Sequence, residues 1–125
     1  MEKASGTFDV KLNPFQGFES SLGTMSIDKQ FHGDLTATSK GQMISAMGDV
    51  KGSAGYVAME RVTGTLKGKK GSFVLQHNGT MTRGVPELSV TVVPDSGTDE
   101  LKGLTGKMTI IIEGRKHSYE FEYKL

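Results

Sequence analysis

The chain has 125 residues, a length that makes one domain spanning residues 1–125 and suffices to bury a core. It contains no cysteine, which excludes disulfides, thiolate catalysis and thiolate metal sites, and its net charge of +1 gives no electrostatic case for nucleic acid or an anionic membrane as partner. No stretch approaches the roughly 18 apolar residues that cross a bilayer, and the first twelve residues hold no apolar signal-like run, so a soluble cytoplasmic protein is expected.

Alternation of apolar and polar residues with period two recurs along the whole chain, and 17 glycines punctuate it. Phe8, Val10 and Leu12 mark a first strand. The loop "NPFQGFESS" follows, and its Phe15 and Phe18 are expected to cap one end of the core. Met25, Ile27 and Phe31 give a second strand, stopped at Gly33-Asp34. Lys29 shares their face, so its ammonium points inward and needs a partner, Glu60 or a tyrosine hydroxyl. A long third strand covers Leu35 to Met47, with a bulge expected at Gly41. Further strands are expected over Gly55–Leu66, Ser72–Met81, Glu87–Val93, Lys107–Glu113 and Lys116–Lys124, with one helical turn at Asp99–Lys102. Eight sequential antiparallel strands predict an all-β, closed, up-and-down (meander) barrel, because closure removes two exposed edges. An open sandwich is the alternative. A barrel of eight strands is either filled or holds one small ligand.

Two hairpins can be registered. Gly114-Arg115 suits a two-residue type II′ turn, which sets Met108, Ile110 and Ile112 opposite Phe121, Tyr119 and His117. Lys107 then faces Glu122 and Glu113 faces Lys116, so apolar pairs lie inside and opposite charges outside. A turn centred on Gly68-Lys69 sets Phe73 opposite Gly64, Leu75 opposite Val62, His77 opposite Glu60 and Met81 opposite Tyr56. A three-residue loop there would instead bring Met59 or Arg61 to His77.

An imidazole and a carboxylate side by side on an inward face satisfy each other, and the pair has two readings. It specifies the interior as a structural polar pair, or it anchors a ligand or moves a proton at a pocket floor. Lys29, Tyr56, Glu60, Leu75, His77, Tyr119 and Phe121 are the candidate lining, with Glu60 and His77 the candidate catalytic pair. His32, His77 and His117 follow no ligand spacing, so no metal is expected. No phosphate loop, nucleophile elbow or dinucleotide fingerprint is present, so no cofactor is expected either.

The stretches "FHGDLTATSKG", "ERVTGTLKGKKGS", "FVLQHNGTM" and "VVPDSGTDELKGLTG", in this order, closely resemble a family of small bacterial proteins that carry a domain of unknown function. The resemblance covers nearly the whole chain and implies a closed eight-stranded barrel like that of allene oxide cyclase. Gly97-Thr98 through Gly103 and Gly106 is similar to the Gly-Thr-Gly…Gly signature of allene oxide cyclases and dirigent proteins. Asp99 stands at its second glycine, Leu101 at an aromatic and Leu104 at an alanine, so this loop reads as structural. No cyclase catalytic residue maps onto the chain, and the resemblance carries no activity. Three functions are therefore expected in competition. The barrel binds a small apolar or amphipathic molecule, acts as a cofactor-free isomerase or cyclase through Glu60 and His77, or is a filled scaffold whose outer face forms a homo-oligomer.

Overall fold

In a computed structural model that describes residues 1–125, the alternation resolves into eight strands. They are β1 (Glu2–Pro14), β2 (Gly23–Gly33), β3 (Leu35–Met47), β4 (Ala54–Leu66), β5 (Lys69–Thr82), β6 (Val85–Val92), β7 (Thr105–Glu113) and β8 (Lys116–Lys124). Each pairs antiparallel with the next, and β8 returns to β1, giving a closed meander barrel. The expected fold is thus the observed one.

The β7–β8 register is the one its turn dictates, with Met108 opposite Phe121, Ile110 opposite Tyr119 and Ile112 opposite His117. Gly114 has φ 62 and supplies the left-handed residue of that turn. The β4–β5 turn differs from expectation. Lys67 and Gly68 both take positive φ, 47 and 84, so the two-residue turn sits one position earlier. Val62 therefore faces Phe73, Glu60 faces Leu75, and His77 faces Ala58. The shift is two residues in register, which preserves the inward face. Gly41 makes no bulge, since pairing runs unbroken through it to Ile27 on one side and Glu60 on the other. Nor do Phe15 and Phe18 cap the core. They are 42% and 108% exposed, at the tip of the β1–β2 connection.

The end of the barrel at Gly33, Leu66 and Lys124, here called the lower end, is packed solid. Phe31, Leu35, Val62, Leu66, Phe73 and Phe121 fill it, and the loop after β6 plugs it with Leu101 and Leu104. That loop begins where β6 stops short of β5, and it replaces the missing strand partner: Ser72 N–H donates to Thr98 Oγ1 (3.0 Å), and Thr98 N–H to the Ser72 carbonyl (2.9 Å). A 3-10 turn over Asp99–Leu101 follows, with Asp99 at φ 54, a left-handed conformation that aspartate tolerates better than most residues. Tyr119 locks the same end. Its hydroxyl accepts from Leu35 N–H (2.9 Å) and donates to the His32 carbonyl (2.9 Å), tying β8 to the β2–β3 turn.

Candidate functional site

One belt of inward side chains is polar. Lys29 from β2, Ser39 from β3, Glu60 from β4 and His77 from β5 are all buried. The Glu60 carboxylate is their hub: Oε2 accepts from Lys29 Nζ (2.8 Å) and His77 Nε2 (2.5 Å), and Oε1 accepts from Ser39 Oγ (2.8 Å). Local backbone geometry allows this. Gly41 stands directly across from Glu60, where any Cβ would collide with the Met59 carbonyl and the Glu60 side chain. Only glycine lets β3 pass that close.

Burial by itself would raise the Glu60 pKa. The hydrogen bonds from His77 and Lys29 and the positive charge of Lys29 outweigh it and lower the pKa to about 2, so Glu60 is ionised. Lys29 Nζ also lies over the rings of Phe8 (5.0 Å) and Phe31 (5.7 Å), where the ring faces favour a cation. His117 packs on Phe8, with ring centroids 5.3 Å apart. Inward positions of β6 and β7 around the belt (Leu88, Val90, Met108 and Ile110) carry no charge.

The hydrogen bonding fixes the imidazole. An ionised carboxylate can only accept, so His77 Nε2 is the donor of that contact, and Nδ1 faces the other way. Nδ1 points to the upper end of the barrel, where its one hydrogen-bond partner is the Tyr56 hydroxyl at 3.5 Å, a long contact. Tyr56 is half-buried. Burial, with the Glu60 charge adding to it, raises its phenol pKa and keeps it a hydrogen-bond donor.

Above the belt the inward face is apolar and wet. Leu12, Met81, Leu88 and Ile112 share the parity of the buried residues, yet are 44%, 41%, 48% and 63% exposed. Strand lengths explain this. β1 last pairs with β8 at Thr7–Ser118 but continues to Pro14, and β6 pairs with β7 only at Thr91–Lys107 although it starts at Val85. The β7–β8 hairpin is a low section of wall, and above it no strand joins β1 to β6. A mouth results, with Tyr56 inside it and His77 beneath. A separate concavity lies on the outer face of β3–β5. It is a groove of about 670 Å³ lined by Lys40, Ile44, Val57, Met59, Arg61 and Gln76 among others.

Residues 4–123 match the model of the family described as "Protein of unknown function (DUF3224)". The chain belongs to the DUF3224 family. It is similar to the crystal structure of a DUF3224 protein of unknown function from Shewanella oneidensis, at 52% identity and a TM-score of 0.96, over 100% of this chain and 97% of that one. No curated protein matches the chain. Membership agrees with the resemblance seen in the four sequence stretches, and the DUF3224 barrel is the one they implied. Its likeness to allene oxide cyclase remains an expectation of the sequence alone.

Of the seven residues singled out in the sequence, this DUF3224 barrel brings together Lys29, Tyr56, Glu60 and His77. Glu60 and His77 meet as diagonal rather than facing neighbours. Leu75 lies opposite Glu60 but is wholly covered, and Tyr119 and Phe121 belong to the packed lower core. Ser39 was missed, although its parity with Leu35 and Ala37 on β3 marks it as inward.

Proposed function

We propose that this protein binds a small apolar or amphipathic molecule in the upper end of its barrel, above the Lys29–Glu60–His77 belt. The observation that carries this reading is the break in exposure along one inward face. The same face is almost fully covered from Leu66 to Glu60 and about half-exposed at Leu12, Met81, Leu88 and Ile112. Apolar side chains turned into a barrel yet left in water form a concave site with polar groups at its floor, the usual make-up of a small-molecule pocket. Native mass spectrometry of freshly purified protein tests it against the denatured mass. A small molecule released on denaturation supports the reading. Failure of every apolar probe offered at millimolar concentration to add mass contradicts it.

The outer groove favours a second reading, self-association, because Ile44, Val57 and Met59 are about half-exposed on an otherwise polar outer surface. Sedimentation of the wild type beside Met59→Lys decides it. A dimer broken by the substitution supports that reading, and a monomeric wild type removes it.

A further inference from the structure

We infer that the upper end of the barrel is built to move a proton on a bound carbonyl compound, with His77 Nδ1 as the base and the Tyr56 hydroxyl as the group that holds the oxygen. The inference rests on the binding reading above and adds to it a chemical class of substrate, a small apolar ketone or aldehyde with an acidic α-hydrogen.

Three features of the site lead there. Glu60 accepts the hydrogen bond from Nε2–H, which aims Nδ1 away from the belt and toward the mouth. Tyr56 is the polar group that faces Nδ1, from a distance too long for a strong hydrogen bond. Space for one more oxygen next to the phenol would let it trade the weak contact for a good one. Finally, the belt beneath is buried, so the base sits on a dry floor, and charge that develops on the oxygen meets a fixed donor in the half-buried Tyr56. A base beside a phenolic donor in an apolar pocket is an arrangement suited to enolisation.

The reaction balances without a co-reactant. The C–H bond between the carbonyl and an adjacent C=C breaks, and its proton goes to Nδ1. Its electron pair becomes the C=C bond of a dienolate, while the carbonyl π pair moves to the oxygen, held by Tyr56. Glu60 stabilises the imidazolium so formed and acts as a positioning residue. Nδ1 then returns the proton to the γ-carbon as the carbonyl re-forms, leaving the conjugated isomer. Lys29 and Ser39 keep Glu60 ionised and in place, so the carboxylate does not compete for the proton.

Cyclohex-3-en-1-one serves as probe, since its conversion to the conjugated enone is read by ultraviolet absorbance and its binding by NMR shifts of the Tyr56 ring and of the methyls of Met25 and Met43, which pair across β2 and β3 on the inward face above Lys29 and Ser39. Wild-type protein should speed conversion at least about 10²-fold over buffer. Tyr56→Phe, which removes only an oxygen from a half-buried ring, should lose roughly 10-fold or more of that rate with binding retained, and His77→Gln should fall to the buffer rate. Shifts at the mouth with conversion at the buffer rate would overturn this inference and leave the binding reading standing. An accelerated rate unchanged in Tyr56→Phe would overturn it as well. Absence of both shifts and conversion would overturn the inference and the binding reading for this class of molecule together.

Discussion

Glu60 is the residue on which the order of the barrel interior depends. It accepts hydrogen bonds from Lys29, His77 and Ser39 and is itself buried, so each partner is compensated only while the others are present. The pH dependence follows with a definite sign. Its folded pKa of about 2 lies below the ordinary 4.5, so its stabilising contribution is complete above 4.5 and is lost as pH falls toward 2. Converted by linkage, that contribution is on the order of 3 kcal/mol. Chemical unfolding of wild type and Glu60→Gln between pH 5 and 2 checks this, with the variant expected to show a flatter loss of stability over that window. Lys29→Met should be worse than its size suggests. It removes the lysine cation and leaves the buried carboxylate with only Ser39 and His77 as partners, at a cost of roughly 3–5 kcal/mol by denaturant titration. Lys29→Met combined with Glu60→Gln should recover part of that loss.

Among the elements, the hairpins show what a sequence discloses and what it does not. The β7–β8 register was legible because Gly114 marks the turn and charge pairs on the outside agree with apolar pairs inside. The β4–β5 register was misplaced by two because Lys67 accepts a left-handed conformation that a lysine does not advertise. Parity survives a slip of two, so Glu60 and His77 still met. Gly41 looked like a bulge but serves a close strand crossing, and the two signals are identical in sequence. Phe15 and Phe18 sit in a connection with no periodicity, so nothing in the pattern told buried from exposed. The weak element of the wall is the β6–β7 seam, where one paired position does the work that thirteen do between β4 and β5. Hydrogen exchange should find the seam-facing amides of Val85–Val90 and Thr109–Glu113 exchanging well before those between β3 and β4. Equal protection on both sides would mean that the seam is closed in solution.

At the scale of the whole molecule the barrel is two structures in one closed sheet. A lower half packed by aromatic and leucine side chains, sealed by Leu101 and Leu104, supplies rigidity. An upper half with apolar walls opens over the short β7–β8 hairpin. The closed fold was legible in eight alternating runs. The mouth was not, because it arises from unequal strand lengths and from where β1–β8 and β6–β7 pairing stops, quantities set by the assembled register. The polar belt at the junction of the halves was legible as three inward residues, Lys29, Glu60 and His77, while Ser39 was hidden among the many serines. The most direct test of this division is a methyl NMR titration with 1-octanol as a small amphipathic probe. Saturable shifts at Leu12, Met81, Leu88 and Ile112, with Leu66, Leu101 and Leu104 unmoved, are the predicted result. Shifts confined to Ile44, Val57 and Met59 on the outer groove, or no saturable shift at all, would contradict a binding site inside the barrel.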